Sequence, residues 1–485
     1  MKSLLSLCLS LVLTASLASS VVCAATITEK NAEKATAIIE AAVEAHGGSV
    51  GLDKLQTLVV ESERVNHAVD QSRAAEPPWD KNEATDISAV DLENSVFFNH
   101  NINNGFGFQG DNVTLIGGDE SYQVDYRAGT IAKISEPDYA ATSGPFVRVS
   151  PTLLVHALSE RSGNAHYLGE ATLDGRPHDV VAFSMTVGPA ISLYFDRDTN
   201  LLSRSERILP AFGLVSYEFD DYEVQDGVPV NETFRFYLND DLNVEQTNVA
   251  TRINAPLDDL LAIRDGLTPI PEVQPDPVAR HEVAEGVWQI GGNGTYAMFI
   301  DMGDYIFAAG GAAGIPERIE LLREVVGDKP LRYGMLTHHH FDHVLGVAAY
   351  EAEGATVIAA TAHEAKVREA AENGDTLRLK TVDDRMTLES DERTLHVIDI
   401  GPTAHTEHLL VAYLPEEGVL FEADHFTLPA AGPVPPATRS TRSFAEAIAR
   451  NELAVTRIYT AHSARAATMD DLQAALDAEL FQASR

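Results

Sequence analysis

The amino-acid sequence predicts an α/β protein in two parts, a β-rich N-terminal domain that opens with a helix and a layered α/β C-terminal domain. Three observations support this prediction. Apolar residues follow helical spacing over residues 28–46, and short β-rich runs separated by turn residues fill residues 55–249. After residue 280, strand-like and helix-like runs alternate, which is typical of a layered α/β domain.

Turn and breaker residues define the elements of the first part. Gly47 and Gly48 should end the first helix, and residues 197–200 and 226–227 should form hairpin tips. Four prolines lie in residues 265–279, which we predict to be a linker. The predicted domains are therefore residues 26–264 and 280–485, in agreement with the about two to four domains that a chain of 485 residues can form.

The charge of the chain excludes one class of partner. The chain has 73 acidic and 35 basic side chains and a net charge of −38, so we expect it not to bind nucleic acid, which is itself a polyanion. A solvated acidic surface explains this excess more simply than an acidic binding patch does. After the first residues, no apolar run reaches the roughly 20 residues that a membrane-spanning helix needs.

The first 24 residues have the pattern of a secretory signal peptide. Lys2 precedes an apolar run over residues 4–17, and the small residue Ala24 suits cleavage before Ala25. Lipidation at Cys23 is the alternative, although Val22 fits that processing poorly. We therefore expect a periplasmic or secreted protein. Since Cys8 and Cys23 are the only cysteines, the mature chain should contain no thiol, and a metal site must use His, Asp and Glu.

One loop carries most of the functional signal. Residues 337–346 read THHHFDHVLG after an apolar strand, and alternation brings His338 and His340 to one side of the extended segment. Asp342 and His343 follow where the chain should turn into a helix, so they can face a second point close by. Imidazole and carboxylate ligands suit two zinc ions, with iron or manganese possible. The alternative is a histidine-rich surface loop.

With three further segments, this loop resembles the metallo-β-lactamase superfamily over residues 280–485. The segments are GPTAHT (401–406), VLFEAD (419–424) and IYTAH (458–462). The resemblance implies an αββα sandwich and a metal centre of two ions. It assigns His338, His340 and His405 to the first ion, Asp342, His343 and His462 to the second, and Asp424 to both. His408 is a rival for the place of His405.

The resemblance also implies a reaction, that of an exported di-zinc hydrolase acting on an ester, lactone, thioester or amide. A hydroxide bridging the metals would attack a small-molecule substrate, which could carry an apolar or acyl part, and Asp342 would orient the hydroxide as the catalytic residue. The sequence departs from the family at Glu407-His408, at Ser463 and at Glu422-Ala423, which leaves the substrate class open.

Other residues near these segments allow two interpretations each. His425 is either a neighbour that supports a ligand or a packing residue, and His339 should point away from the metals by strand alternation. His363 should lie at the start of a helix. Three arginines could form an anion site for a substrate carboxylate or bind surface acids, namely Arg439, Arg442 and Arg465.

The N-terminal part resembles the half-barrel of outer-membrane lipoprotein carriers (LolA-like) over residues 30–260. The resemblance rests on residues 194–202, 221–222 and 227–229. It implies a mostly antiparallel half-barrel that could cover the metal site, bind an acyl chain or mediate pairing. Two alternatives to a zinc hydrolase therefore stay open, a cell-envelope binding or carrier protein with a structural metal site and an iron-dependent oxidative enzyme.

Overall fold

The structure is a computed structural model that describes residues 26–481 except residues 49, 118–119, 211 and 275. The predicted signal peptide and both cysteines lie outside the described residues. Among the helices of the described ranges, none is long and apolar enough to span a bilayer. The α-helices are α1 (Ile27–Ala45), α2 (Tyr139–Arg148), α3 (Pro151–Glu160), α4 (Asp258–Leu261), α5 (Ile315–Val326), α6 (Phe341–Val344), α7 (Val347–Ala352), α8 (Glu364–Ala370), α9 (Arg439–Arg450) and α10 (Met469–Asp477).

The predicted N-terminal helix is present as α1. It begins at Thr26, whose hydroxyl accepts a hydrogen bond from the Glu29 backbone N–H, while the Glu29 carboxylate accepts one from the Thr26 N–H. This reciprocal pair satisfies two N–H groups that the helix itself leaves unpaired. Ala35, Ile39 and Ala42 form the buried stripe, and the helix ends before Gly47, whose φ is +106°.

Fourteen strands form one large sheet, which is antiparallel except at one edge and confirms the predicted β-rich domain. Its order is β14-β6-β5-β4-β3-β2-β1-β13-β12-β11-β10-β9-β8-β7. A core that contains Ile39 of α1, Leu154 of α3 and Phe195 of β9 joins the helices to the sheet. The strands are β1 (Thr57–His67), β2 (Lys81–Asp91), β3 (Val96–Asn103), β4 (Gly110–Ile116), β5 (Tyr122–Asp125), β6 (Thr130–Lys133), β7 (His166–Leu173), β8 (Arg176–Phe183), β9 (Ile191–Asp196), β10 (Leu202–Leu209), β11 (Gly213–Gln225), β12 (Val228–Leu238), β13 (Asp241–Ile253) and β14 (Thr268–Ile270).

Part of the predicted linker belongs to this sheet. Residues 268–270 form β14, which pairs in parallel with β6. Further along the same segment, the Asp276 carbonyl accepts a hydrogen bond from the Asn293 N–H, and the Asp276 carboxylate accepts one from the Tyr296 hydroxyl. The segment therefore contacts both the N-terminal sheet and the C-terminal domain.

Two sheets packed face to face form the centre of the C-terminal domain and confirm the predicted αββα sandwich. Met298 and Phe307 of the first sheet share a buried cluster with Leu395 and Phe421 of the second. Helices α5 and α7 pack on the outer face of the first sheet, and α9 and α10 on that of the second. The first sheet contains β15 (Ala279–Ala284), β16 (Val287–Gly292), β17 (Thr295–Asp301), β18 (Ile306–Ala309), β19 (Leu331–Met335), β20 (Thr356–Ala360) and β21 (Leu379–Val382). The second contains β22 (Arg385–Glu389), β23 (Thr394–Asp399), β24 (Leu410–Leu414), β25 (Val419–Glu422), β26 (Arg457–Thr460) and β27 (Ser463–Thr468).

His46, at the end of α1, should make the N-terminal domain sensitive to acid. Its side chain is fully buried, and this burial lowers the pKa of His46 to about 4. The unfolded chain binds this proton below its ordinary pKa of 6.5, whereas the folded chain does not bind it until about pH 4. The contribution of His46 to the free energy of unfolding is therefore complete above pH 6.5. It falls by roughly 3 kcal/mol in total as the pH drops to 4.

We expect His46→Leu to reduce the loss of stability between pH 6.5 and 4. Thermal unfolding between pH 4 and 8, followed by near-ultraviolet circular dichroism, measures this change. The matched control is His166→Leu, which changes an exposed histidine of β7 and should leave the profile as it is. Superimposable profiles for the His46 variant and the unaltered protein would contradict the prediction.

Candidate metal centre

Five of the seven predicted ligands lie in loops at the ends of buried strands. His338 and His340 follow β19, and His405 lies between β23 and β24. Asp424 follows β25, and His462 follows β26, which pairs in parallel with β25. Because the rigid sheets hold these strand ends, the loops converge although they are far apart in the sequence.

The first cluster is formed by His338, His340, His405 and Asp424. One potential ligand atom from each side chain lies within 4.8 Å of the others. Nε2 of His338 is 3.3 Å from Nε2 of His405 and 3.3 Å from Oδ2 of Asp424. The three imidazoles are almost fully buried, so the cluster lies in the interior of the domain.

The second cluster is formed by Asp342, His343 and His462, whose potential ligand atoms also lie within 4.8 Å of one another. Asp342 and His343 lie in the short helix α6, and His462 Nε2 is 3.3 Å from His343 Nε2. Asp424 connects the two clusters. Its Oδ2 is 2.8 Å from His343 Nε2, and its Oδ1 is 2.8 Å from His462 Nε2.

These side chains fit metal ions in both chemistry and spacing. Imidazole nitrogens and carboxylate oxygens are the ligands that zinc accepts when no thiolate is available. Two ligands each about 2.0–2.1 Å from a tetrahedral ion are roughly 3.3 Å apart, which is the separation found between the paired imidazole nitrogens. The structure thus brings all seven predicted ligands together, and it places His408 elsewhere, with Nδ1 2.7 Å from Oδ2 of Asp399.

The comparison with protein families identifies this part of the chain. Residues 292–474 match the family model described as the metallo-beta-lactamase superfamily. The C-terminal domain is a metallo-beta-lactamase superfamily domain. This membership supports a metal-binding hydrolase.

Solved structures resemble each part of the chain. The metallo-beta-lactamase domain is similar to the metallo-beta-lactamase FIM-1 from Pseudomonas aeruginosa in its mono-zinc form, with 20% identity over 41% of this chain and 92% of that chain, at a TM-score of 0.32. It is also similar to a metallo-beta-lactamase from Hirschia baltica, with 19% identity over 41% of this chain and 95% of that chain, at a TM-score of 0.32. The N-terminal domain is similar to a putative outer membrane lipoprotein-sorting protein domain from Vibrio parahaemolyticus, with 14% identity over 47% of this chain and 96% of that chain, at a TM-score of 0.32. No curated protein matches the chain.

Charge is distributed unevenly within the metallo-beta-lactamase domain's site. Burial holds the pKa of His338 and His340 well below the ordinary value, which favours the neutral form of the imidazole that binds metal. Burial opposes the charged form of His343, but Asp424 and Asp342 outweigh it and raise the pKa of His343 to about 10. Burial would raise the pKa of Asp424, yet the histidines around it, chiefly His343, keep that pKa well below its usual range.

Two of the three imidazoles in the first cluster, those of His340 and His405, find acceptors for their second ring nitrogens in the N-terminal domain. Nε2 of His340 donates to the Ser72 carbonyl oxygen at 2.9 Å, and Nδ1 of His405 donates to the Phe106 carbonyl oxygen at 2.6 Å. A ring nitrogen that donates to a carbonyl carries the hydrogen, so the other nitrogen keeps its lone pair for a metal. Sequence reasoning missed both acceptors because a backbone carbonyl leaves no motif.

Three further histidines surround the centre without joining either cluster. Nδ1 of His339 lies 3.1 Å from Nε2 of His363, and both rings are buried. His425 is also buried, and its Nε2 lies 2.8 Å from the hydroxyl of Thr403, in the loop that carries His405. His425 therefore packs beneath that loop.

The three arginines near the ligand loops donate to backbone carbonyls. Arg439 donates to Asn104 at 3.0 Å, and Arg442 reaches Leu476 at 3.5 Å. Arg465 donates to the carbonyls of residues 429 and 432 at 3.2 and 3.0 Å. These contacts link separate elements of the fold, and that of Arg439 joins the two domains.

Proposed function

We propose that the protein is an exported hydrolase that uses two zinc ions to cleave an ester, lactone, thioester or amide bond. One observation carries the proposal, namely two clusters of His and Asp side chains joined by the two oxygens of Asp424. A lone structural metal would need only one such cluster. The signal-peptide pattern of residues 1–24 supports export.

In this proposal, His338, His340 and His405 hold one ion, Asp342, His343 and His462 hold the other, and Asp424 contacts both. Bound zinc would lower the pKa of water to about 7 and so provide hydroxide at neutral pH. Asp342 would accept a hydrogen bond from the attacking water and direct it at the substrate carbonyl carbon. Its position favours this role, because its side chain is about 39% exposed whereas the His343 side chain is fully buried.

Exposed apolar side chains near the centre favour a substrate with an apolar or acyl part. Phe341 and Leu345 flank the ligand pair Asp342 and His343 and are 39% and 53% exposed. From the N-terminal domain, Phe108 lies against the His405 ring and Phe212 against the Phe341 ring, with ring centroids 5.3 and 6.2 Å apart. Burying such side chains against an acyl chain stabilises the complex by removing apolar area from water.

We expect Phe212→Ala to raise KM about tenfold for a long-chain acyl ester, equivalent to about 1.4 kcal/mol, and to leave KM for the acetyl ester of the same alcohol nearly unchanged. Steady-state kinetics on the two esters measure this difference. Val224→Ala is the control, because Val224 is another exposed apolar residue and lies at the other end of β11. An equal rise in KM for both esters would refute an acyl-binding role.

The experiment that tests the proposed function is metal analysis of the purified protein together with a panel of chromogenic esters, lactones, thioesters and a cephalosporin. Two zinc ions per chain with turnover of at least one substrate is the expected result. Bound metal without any turnover would favour the carrier alternative, for which the N-terminal domain offers a cavity of about 490 Å³ lined by Phe97, Phe146 and Phe234. Iron in place of zinc would favour the oxidative alternative.

A further inference from the structure

Two loops of the N-terminal domain touch the ligands of the C-terminal domain directly. The first, residues 68–80 between β1 and β2, places the Gln71 side-chain amide 2.9 Å from Oδ1 of Asp342. The same loop supplies the Ser72 carbonyl to His340. The second, residues 104–109 between β3 and β4, supplies the Phe106 carbonyl to His405.

Backbone hydrogen bonds and ion pairs hold the first loop in place. The Phe341 N–H donates to the Asp70 carbonyl at 3.3 Å, and the Glu407 N–H donates to the Arg73 carbonyl at 2.9 Å. Lys366 of helix α8 forms an ion pair with the Asp70 carboxylate at 2.8 Å. The loop is therefore held on both sides of the ligands that it contacts.

The second loop is fastened through a glycine. The Ser440 N–H, at the start of helix α9, donates to the Gly107 carbonyl at 3.0 Å. Gly107 has a φ of +84°, and a Cβ at this position would clash with the Ser440 hydroxyl and lie 3.1 Å from the Ala404 carbonyl carbon. Only glycine allows this close approach to the loop that carries His405.

We propose that the N-terminal domain is a working part of the metal centre, with Gln71 as a positioning residue for Asp342 and the loop at Gly107 as the support that orients His405. The inference rests on the proposed function, because it concerns the same ligands. It assigns to the N-terminal domain a role in holding metal that its own sequence does not indicate.

The geometry at Asp342 explains why Gln71 matters. Oδ2 of Asp342 lies 3.3 Å from Nε2 of His343 and so faces the second cluster, while Oδ1 accepts the Gln71 hydrogen bond. A carboxylate with no partner for Oδ1 can rotate about its side-chain torsions, which lowers the fraction of time that Oδ2 spends at the cluster. Gln71 thus fixes which oxygen faces the ion, in the way that outer hydrogen bonds orient ligands at metal sites.

The test measures metal binding by the full-length protein loaded with Co²⁺. Gln71→Ala and Gln71→Glu both remove the donor to Asp342, and the second does so with little change in shape. We expect the affinity for the second Co²⁺ to fall about 10- to 100-fold and the visible spectrum of that ion to change, with the first Co²⁺ bound as before. The matched control is Gln56→Ala, since Gln56 is an exposed glutamine just before β1, at the opposite end of that strand from loop 68–80.

A second pair of variants tests the support at His405. Gly107→Ala should lower the affinity for the first Co²⁺ by a similar 10- to 100-fold, because the added methyl group pushes the Phe106 carbonyl away from the His405 imidazole. Gly175→Ala is the control. Gly175 has a φ of +78° in a hairpin of the same domain, and no atom lies within 4 Å of the position its Cβ would occupy, so the backbone strain is matched without the clash.

The outcomes separate this inference from the function on which it rests. If the unaltered protein binds no more than one Co²⁺, the proposed two-metal function fails. If it binds two and the Gln71 and Gly107 variants bind both with unaltered affinity and spectra, the function stands and the inference is wrong. Loss of Co²⁺ affinity in the Gln56 or Gly175 control to the same extent would also overturn it, because the effect would then be one of general stability.

Discussion

Replacing Asp342 with alanine should lower kcat/KM by about 10³-fold on any substrate that the protein hydrolyses. The carboxylate contributes twice in the proposed mechanism, once as a ligand of the second ion and once as the acceptor that directs the attacking water. Loss of a positioned acid or base alone typically costs 10²- to 10⁴-fold. Since His343 and His462 would remain, we expect the second ion to bind weakly rather than not at all.

The measurement is kcat/KM at a fixed excess of zinc, with metal content determined on the same samples. Asp391→Ala is the control, because Asp391 is an exposed aspartate in the turn between β22 and β23 of the same domain. An Asp342 variant that keeps full activity would refute the proposed two-metal hydrolase. If kcat/KM fell only tenfold and more zinc restored it, Asp342 would act as a metal ligand but would not direct the attacking water.

Replacing Asp424 with asparagine should empty both clusters and abolish measurable turnover. Its two oxygens lie 2.8 Å from His343 and from His462, and Oδ2 also lies 3.3 Å from His338. An amide of the same shape removes the charge that all three imidazoles face. In the metal-free protein, the buried His343 also loses its main counter-charge, which should destabilise the fold by about 3–5 kcal/mol.

A control must separate loss of metal from loss of stability. Asp196→Asn serves this purpose, because Asp196 is a buried aspartate of the N-terminal sheet whose Oδ2 lies 2.9 Å from Arg176. This variant should be destabilised and yet retain both ions in metal analysis. If Asp424→Asn retained two ions per chain, the shared-ligand role of Asp424 would be disproved.

Sequence reasoning succeeded where the information is local. Each predicted ligand stands in a short segment that directly follows an apolar strand, so its residue type and its place at the sheet edge can be inferred without a structure, and the family resemblance supplied its assignment to an ion. The helix α1 and the layered α/β character of the C-terminal domain were predictable for the same reason, because both depend on periodic burial. The αββα order itself came from the family resemblance. The acidic composition contributed only the expectation that the chain does not bind nucleic acid.

The support of the ligands could not be predicted because it is made over long distances in the chain. Gln71 is separated from Asp342 by 271 residues, and Phe106 from His405 by 299. Two of the contacts use backbone carbonyls, which every residue type possesses. Likewise, the sequence left open whether the arginines near the ligands form an anion site or bind surface acids, because what a guanidinium contacts depends on loop conformation. In the structure, Arg465 donates to the carbonyls of residues 429 and 432.

The two loops of the N-terminal domain have a consequence for exchange kinetics. They close over His340 and His405, which are 1% and 3% exposed, whereas the second cluster reaches solvent through Asp342 and His462. The two loops should therefore slow the release of an ion from the first cluster, whose imidazoles they cover. An ion in the second cluster can leave through solvent-facing ligands. The two ions of one centre should therefore have different residence times, with the inner ion outlasting the outer one during dialysis against a chelator.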